Sequence, residues 1–165
     1  RVAQLASFNV EQFLALSGAL FDRLLNTGNL GRRHIRQLSP SDQHRLILSK
    51  SRAYVEQLRT SLPYGQDVFN LVTAIAELCK EESTRPNVPI TPGVTGVSIQ
   101  ISERDVLIRE AANSGGAAAR LLNALGSAIA HNALLVRVTD RQRDEDRVVL
   151  YLNRRLQTSE TFPAF

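Results

Sequence analysis

The residues that could do chemistry in this 165-residue chain are few, and most of the usual arrangements are absent. No G-x-x-x-x-G-K-[ST] stretch and no G-x-G-x-x-G opening a helix is present, so nothing is spaced to cradle a nucleotide phosphate. His34, His44 and His131 have no metal-ligand spacing among them, and Cys79 is alone. No serine sits in G-x-S-x-G. Asp144-Glu145-Asp146 could hold a cation, but Arg141 and Arg143 stand beside it, and a solvated mixed-charge loop accounts for the run better. The sequence therefore predicts no enzyme, no nucleotide binding or hydrolysis by this chain, and neither metal nor cofactor.

What remains is the chemistry of nucleic-acid contact. Arg120, Asn123, Ser127 and His131 recur at helical spacing, and Asn and Arg side chains can read base edges. Arg141 and Arg143 follow in a charged loop, where they could reach phosphates. The same helix carries Ala117, Ala118, Ala124 and Ala128, a surface suited to close packing against another helix. Only one full positive charge lies among the helix residues, and Asp140, Asp144, Glu145 and Asp146 largely cancel the loop arginines. DNA contact and protein contact stand equal on these residues.

The elements that must position these side chains are legible. Thr95 to Ile101 (TGVSIQI) alternates as a half-buried strand does. Ser102 is placed to cap a helix reaching Asn113, with Val106, Leu107 and Ala111 as its apolar stripe. Ser114-Gly115-Gly116 breaks it. A second helix runs from Ala117 to Asn132, with Leu121, Leu122, Leu125 and Ile129 inward and Arg120, Asn123, Ala124, Ser127, Ala128 and His131 outward. His131, near its end, reads as a C-terminal cap. Leu134 to Thr139 and Arg147 to Leu152 are strands joined by the loop Asp140 to Asp146.

Upstream, Val10 to Leu25 is an amphipathic helix with Asn9 as N-cap and Phe13, Leu16, Leu20, Phe21 and Leu24 on one face. Gly31 to Arg36, the densest basic run, reads as a solvated linker. Ser39 and Pro40 open a helix reaching Ser61, with Ile47, Tyr54, Val55 and Leu58 inward. Pro63-Tyr64-Gly65 turns the chain. A helix from Gln66 to Glu82 follows, carrying Val68, Leu71, Val72, Ile75 and Leu78 on one face and Cys79 beside it as a buried, unreactive thiol. Three prolines make Ser83 to Gly93 an extended connector. Helix is expected only within residues 9–132, and strands only near 95–101, 134–139 and 147–153. The order predicts a mainly α chain with a small sheet: a helical subdomain over residues 1–62, then a winged helix-turn-helix domain over residues 63–165.

Composition sets the bounds. Hydrophobic residues make up 43% and charged residues 22%, so the chain is globular. Trp and Met are absent, so the core is built from Leu, Val, Ile and Ala. The net charge of +4 has no concentrated source, since residues 1–84 and 85–165 each hold 10 Lys or Arg and 8 Asp or Glu. No apolar run is long enough to span a membrane and no signal peptide is visible, so a cytoplasmic location is expected.

Three stretches resemble a known family. Asn9 to Leu16 (NVEQFLAL) resembles the lid helix that carries the sensor-2 motif in origin-recognition (ORC-type) AAA+ ATPases and in a group of similar bacterial P-loop ATPases. Pro86-Asn87-Val88-Pro89 with Pro92 to Gly96 resembles the link into their winged helix, and Val148 to Phe165, with Tyr151 to Leu156 (YLNRRL), resembles its C-terminal end. The resemblance implies a lid and a winged helix attached to an ATPase core lying before Arg1. It implies DNA, an upstream ATPase domain or a homo-oligomer as partners. The family's sensor-2 arginine would fall near Glu11, yet no Arg stands between Arg1 and Arg23, so no ATP-contacting residue carries over.

Overall fold

The structure is a computed structural model that describes residues 2, 6, 9–26, 30–31, 34–35, 37–86, 96–142 and 145–157, with the backbone alone at 30–31, 34–35, 138–142, 145 and 157. The elements follow in order as α1 (Val10–Asn26), β1 (Leu30–Gly31), β2 (His34–Ile35), α2 (Pro40–Ser61), α3 (Gly65–Thr84), β3 (Gly96–Gln100), α4 (Ile101–Ser114), α5 (Gly116–Ala130), β4 (Leu134–Gln142), β5 (Glu145–Leu152) and α6 (Arg154–Gln157). From α3 onward this is the helix, strand, helix, helix, strand, wing, strand order of a winged helix. Its sheet is antiparallel, with β5 between β3 and β4.

Local chemistry explains most boundaries. The Asn9 side chain accepts the Gln12 amide at 2.9 Å and starts α1. Ser39 accepts the Asp42 amide at 3.1 Å, and Pro40 occupies the first turn of α2. Between α2 and α3, Tyr64 takes a left-handed φ of 56°. At Gly65 a Cβ would collide with the Arg59 carbonyl oxygen and lie 2.8 Å from that of Leu58, so the position requires glycine. Gly115, at φ 61°, separates α4 from α5.

Several expectations are corrected. The cap of α4 is Gln100, not Ser102: Glu103 accepts the Gln100 amide at 3.1 Å, because Ile101 already continues into the helix. α3 runs on to Thr84, past Ser83, where the proline-rich connector was expected to begin. In the same helix Cys79 is buried while Leu78 is 52% exposed, so the inward stripe passes one residue later. β1 and β2 pair antiparallel, Leu30 with Ile35 and Gly31 with His34, so the region read as a solvated linker holds a minimal sheet. Two-residue strands need only backbone hydrogen bonds and leave no alternation to read. α6 is a helix beyond residue 132. β4 and β5 extend to Gln142 and Glu145, which pair across the hairpin after a register irregularity, so most of the expected loop is strand. The remainder of the expected connector, residues 87–93, lies outside the described residues.

One buried cluster runs through the body. Tyr54, Val55 and Leu58 of α2 meet Val68, Val72, Ile75, Ala76 and Cys79 of α3, Ala124 and Ala128 of α5, then Leu134, Leu152 and Leu156. The sheet contributes through alternation: Leu134 stands opposite Leu152, Val97 opposite Leu150 and Ile99 opposite Val148. α1 is attached more lightly. Leu16 is buried, but Phe13 is exposed and Phe21 is 57% exposed, contrary to the inward face expected of both.

Candidate nucleic-acid interface

α5 is the helix that a winged helix offers to a partner, so its orientation decides what can be offered. Ala124 is 2% exposed and Ala128 fully buried against the core, whereas Leu121 is 43% exposed and Ile129 is also exposed. The expected inward and outward faces are therefore rotated. α5 packs on α3 through its alanines, because the closest approach of two helices requires small side chains at the crossing. Leu122 and Leu125 sit half-buried on the shoulders. Of the small-residue surface read as a docking face, Ala124 and Ala128 are used within the chain, Ala118 is half-buried and Ala117 is exposed.

This rotation sorts the six candidate residues. Arg120 sits at the rim of a cleft between α3 and α5, where its Nη2 lies 2.6 Å from Asp67 Oδ1 and its Nε 3.3 Å from Oδ2. The hydrogen bond to Asp67, then that residue's charge, pushes the Arg120 pKa further up, and the guanidinium is held in an ion pair with Asp67. Ser127 Oγ donates to the Pro63 carbonyl at 2.7 Å, tying α5 to the turn before α3. Asn123 and His131 are exposed. Arg141 lies in β4, where its backbone alone is described, and Arg143 lies outside the described residues. The structure thus pairs the exposed Arg120 with Asp67 of α3, bonds Ser127 to the turn before α3, and leaves Asn123 and His131 open. Arg137 is an exposed cation on β4 that the sequence reading passed over, although alternation in LLVRVT was the signal that could have found it.

The C-terminal end of α5 is built with care. His131 is the C-cap residue, as expected. Asn132 follows at φ 57°, its amide donates to Ile129 O at 3.1 Å, and the Ala133 amide donates to Ala128 O at 2.8 Å. This is a Schellman ending with asparagine in the left-handed position. The carbonyls just beyond it are also satisfied. Tyr54 Oη donates toward His131 O at 3.3 Å and Asn132 O at 3.2 Å, and Asn153 Nδ2 donates to Asn132 O at 2.6 Å. Arg155 lies over the Tyr54 ring at 4.6 Å and reaches the Lys50 carbonyl at 3.1 Å. Burial holds the Arg155 pKa below its usual value, partly offset by Tyr54. The YLNRRL stretch therefore serves as a polar seam beneath the helix.

A family model described as ORC-CDC6-like matches residues 1–161. The chain belongs to the ORC-CDC6-like family. No curated protein and no solved structure matches it significantly. In this ORC-CDC6-like chain, no helix among the described residues is long and apolar enough to cross a membrane. Among the described residues no group of three or more His, Cys, Asp or Glu side chains is placed to hold a metal ion.

Proposed function

We propose that this chain is a non-catalytic module of an ORC-like P-loop ATPase and that its winged helix contacts DNA weakly. The carrying observation is a winged-helix order within an ORC-CDC6-like chain, with the Asn123 and His131 positions of α5 open to solvent. Asn123 would meet base edges, and Arg141 and Arg143 of the hairpin would meet phosphates. Arg120 contributes little charge, because Asp67 already neutralises it. Two hairpin phosphate contacts give a log K against log salt slope of roughly −2. A duplex titration with the double variant Arg141→Ala, Arg143→Ala should lose most of the affinity and flatten that slope. A wild-type titration at low salt that stays flat to high micromolar concentration would remove the DNA reading for the module. The parent ATPase, with several copies acting together, could still bind DNA through avidity.

A second reading, a protein-contact or oligomerisation module, is favoured by the apolar side chains that α1 presents to solvent: Val10, Leu14, Phe21 and Leu25. Sedimentation of the chain over a concentration series separates the two readings. Self-association abolished by Phe21→Glu supports the second, and a monomer at all concentrations removes its homo-oligomer form.

A further inference from the structure

The buried polar seam does more than satisfy carbonyls, because one of its members comes from the opposite end of the chain. Gln12 is a buried polar residue on α1, next to Leu16 on the same inward side. Its Oε1 accepts from Asn153 Nδ2 at 3.1 Å, and its Nε2 lies 3.5 Å from Tyr54 Oη as a donor. Those are the two side chains that bond the carbonyls after α5. Asn153 is held in orientation from its other side, where Oδ1 accepts the Arg155 amide at 2.9 Å and its own amide donates to Ala133 O at 3.1 Å. Without Gln12 the buried Asn153 Nδ2 loses an acceptor and the Tyr54 hydroxyl loses the donor on its oxygen. Both side chains then meet the carbonyls after α5 without that tether, so their geometry there must change.

We propose that Gln12 is a positioning residue that couples α1 to the C-terminal end of α5, so that the docking of α1 sets the order of the turn His131–Ala133. The coupling is physical and short: one side chain, two intermediaries and two carbonyls. α1 is suited to the role of input because little of it is buried besides Gln12 and Leu16. A partner gripping the exposed side of α1 would act on Gln12 by shifting the helix that carries it. The inference concerns the fold and does not rest on the DNA reading.

Residue-resolved amide hydrogen exchange tests it. Gln12→Leu keeps the volume and removes both hydrogen bonds. Exchange at Asn132 and Ala133 should rise about tenfold, the scale of one lost buried hydrogen bond, while Val72 and Ile75 in α3 exchange as in the wild type. Tyr54→Phe, which removes one hydroxyl and little else, should give the same local signature, and Leu25→Ala on the exposed side of α1 should give none. Unchanged exchange at Asn132 and Ala133 in Gln12→Leu would overturn the proposal. So would a uniform rise across all helices, which would mark Gln12 as a general stabiliser only.

Discussion

Tyr54 offers a test of the buried seam that needs no partner. The residue is 8% exposed, and burial pushes its phenol pKa up to about 12, opposed by the Arg155 guanidinium and by the Gln12 hydrogen bond. Because the folded value lies above the unfolded one, the folded state holds this proton more tightly. That stabilisation is complete below the unfolded pKa near 10 and is lost as pH climbs through 10 toward 12. Moving from 10.0 to about 12 corresponds to roughly 2.7 kcal/mol in total, of which about 1.4 kcal/mol is gone by pH 11. Tyr54→Phe cannot titrate, and it gives up the hydroxyl's bonds at His131, Asn132 and Gln12, so at pH 8 it should be about 1–3 kcal/mol less stable. The gap between the two proteins should therefore narrow by about 1.4 kcal/mol between pH 8 and pH 11. Urea denaturation of both proteins at pH 8, 9, 10 and 11 measures it, and taking the difference cancels every other group that titrates. A gap of constant size over that range would refute the account of a buried, protonated hydroxyl.

Further expectations follow from the same packing. Ala124→Glu places a charge in the cleft between α3 and α5 and should destabilise by about 3–5 kcal/mol; thermal melting with an unchanged midpoint would contradict the burial of that face. Asp67→Asn releases Arg120 and should steepen the salt dependence of duplex binding by about one unit, with little change in stability because the pair is at the surface. Cys79 is fully buried, and burial pushes its thiol pKa up, so a thiol reagent should label it only at the rate of unfolding; labelling within the mixing time would refute this.

The existence of α1 to α5 and of β3 to β5 was readable because their apolar periods show, whereas β1, β2 and α6 are too short to carry a period. The ends were readable where a single residue carries the cap, as at Asn9, Ser39 and Gly115. The orientation of α5 was not. Four large apolar residues at helical spacing outweigh alanines in any periodicity argument, yet helix approach selects the smallest side chains for the contact. Arg120 does face outward, as read, but is ion-paired to Asp67, and Ser127 is half-buried and bonded to Pro63 in the turn before α3. The strand extension to Gln142 and Glu145 was hidden because a hairpin ladder pairs backbones whatever the side chains. Gln12, Tyr54 and Asn153 could not be joined by reading in order, since their hydrogen bonds span 42, 77 and 141 positions.

The last of those spans bears on how the protein is made. β5 is the middle strand of the sheet, so β3 has no strand to pair with until the hairpin has been synthesised. Asn153, which reaches back to Gln12, comes later still. At about 5–20 residues per second, the first helix waits on the order of ten seconds for the partner that seats its buried amide. Throughout that interval α1 has only its contacts with α2, among them Gln12 with Tyr54 and Arg23 with Asp42, and keeps an apolar side open to the solvent. The segment most exposed to chaperones and to premature association during synthesis is therefore the first helix, and its protection arrives with the last strand.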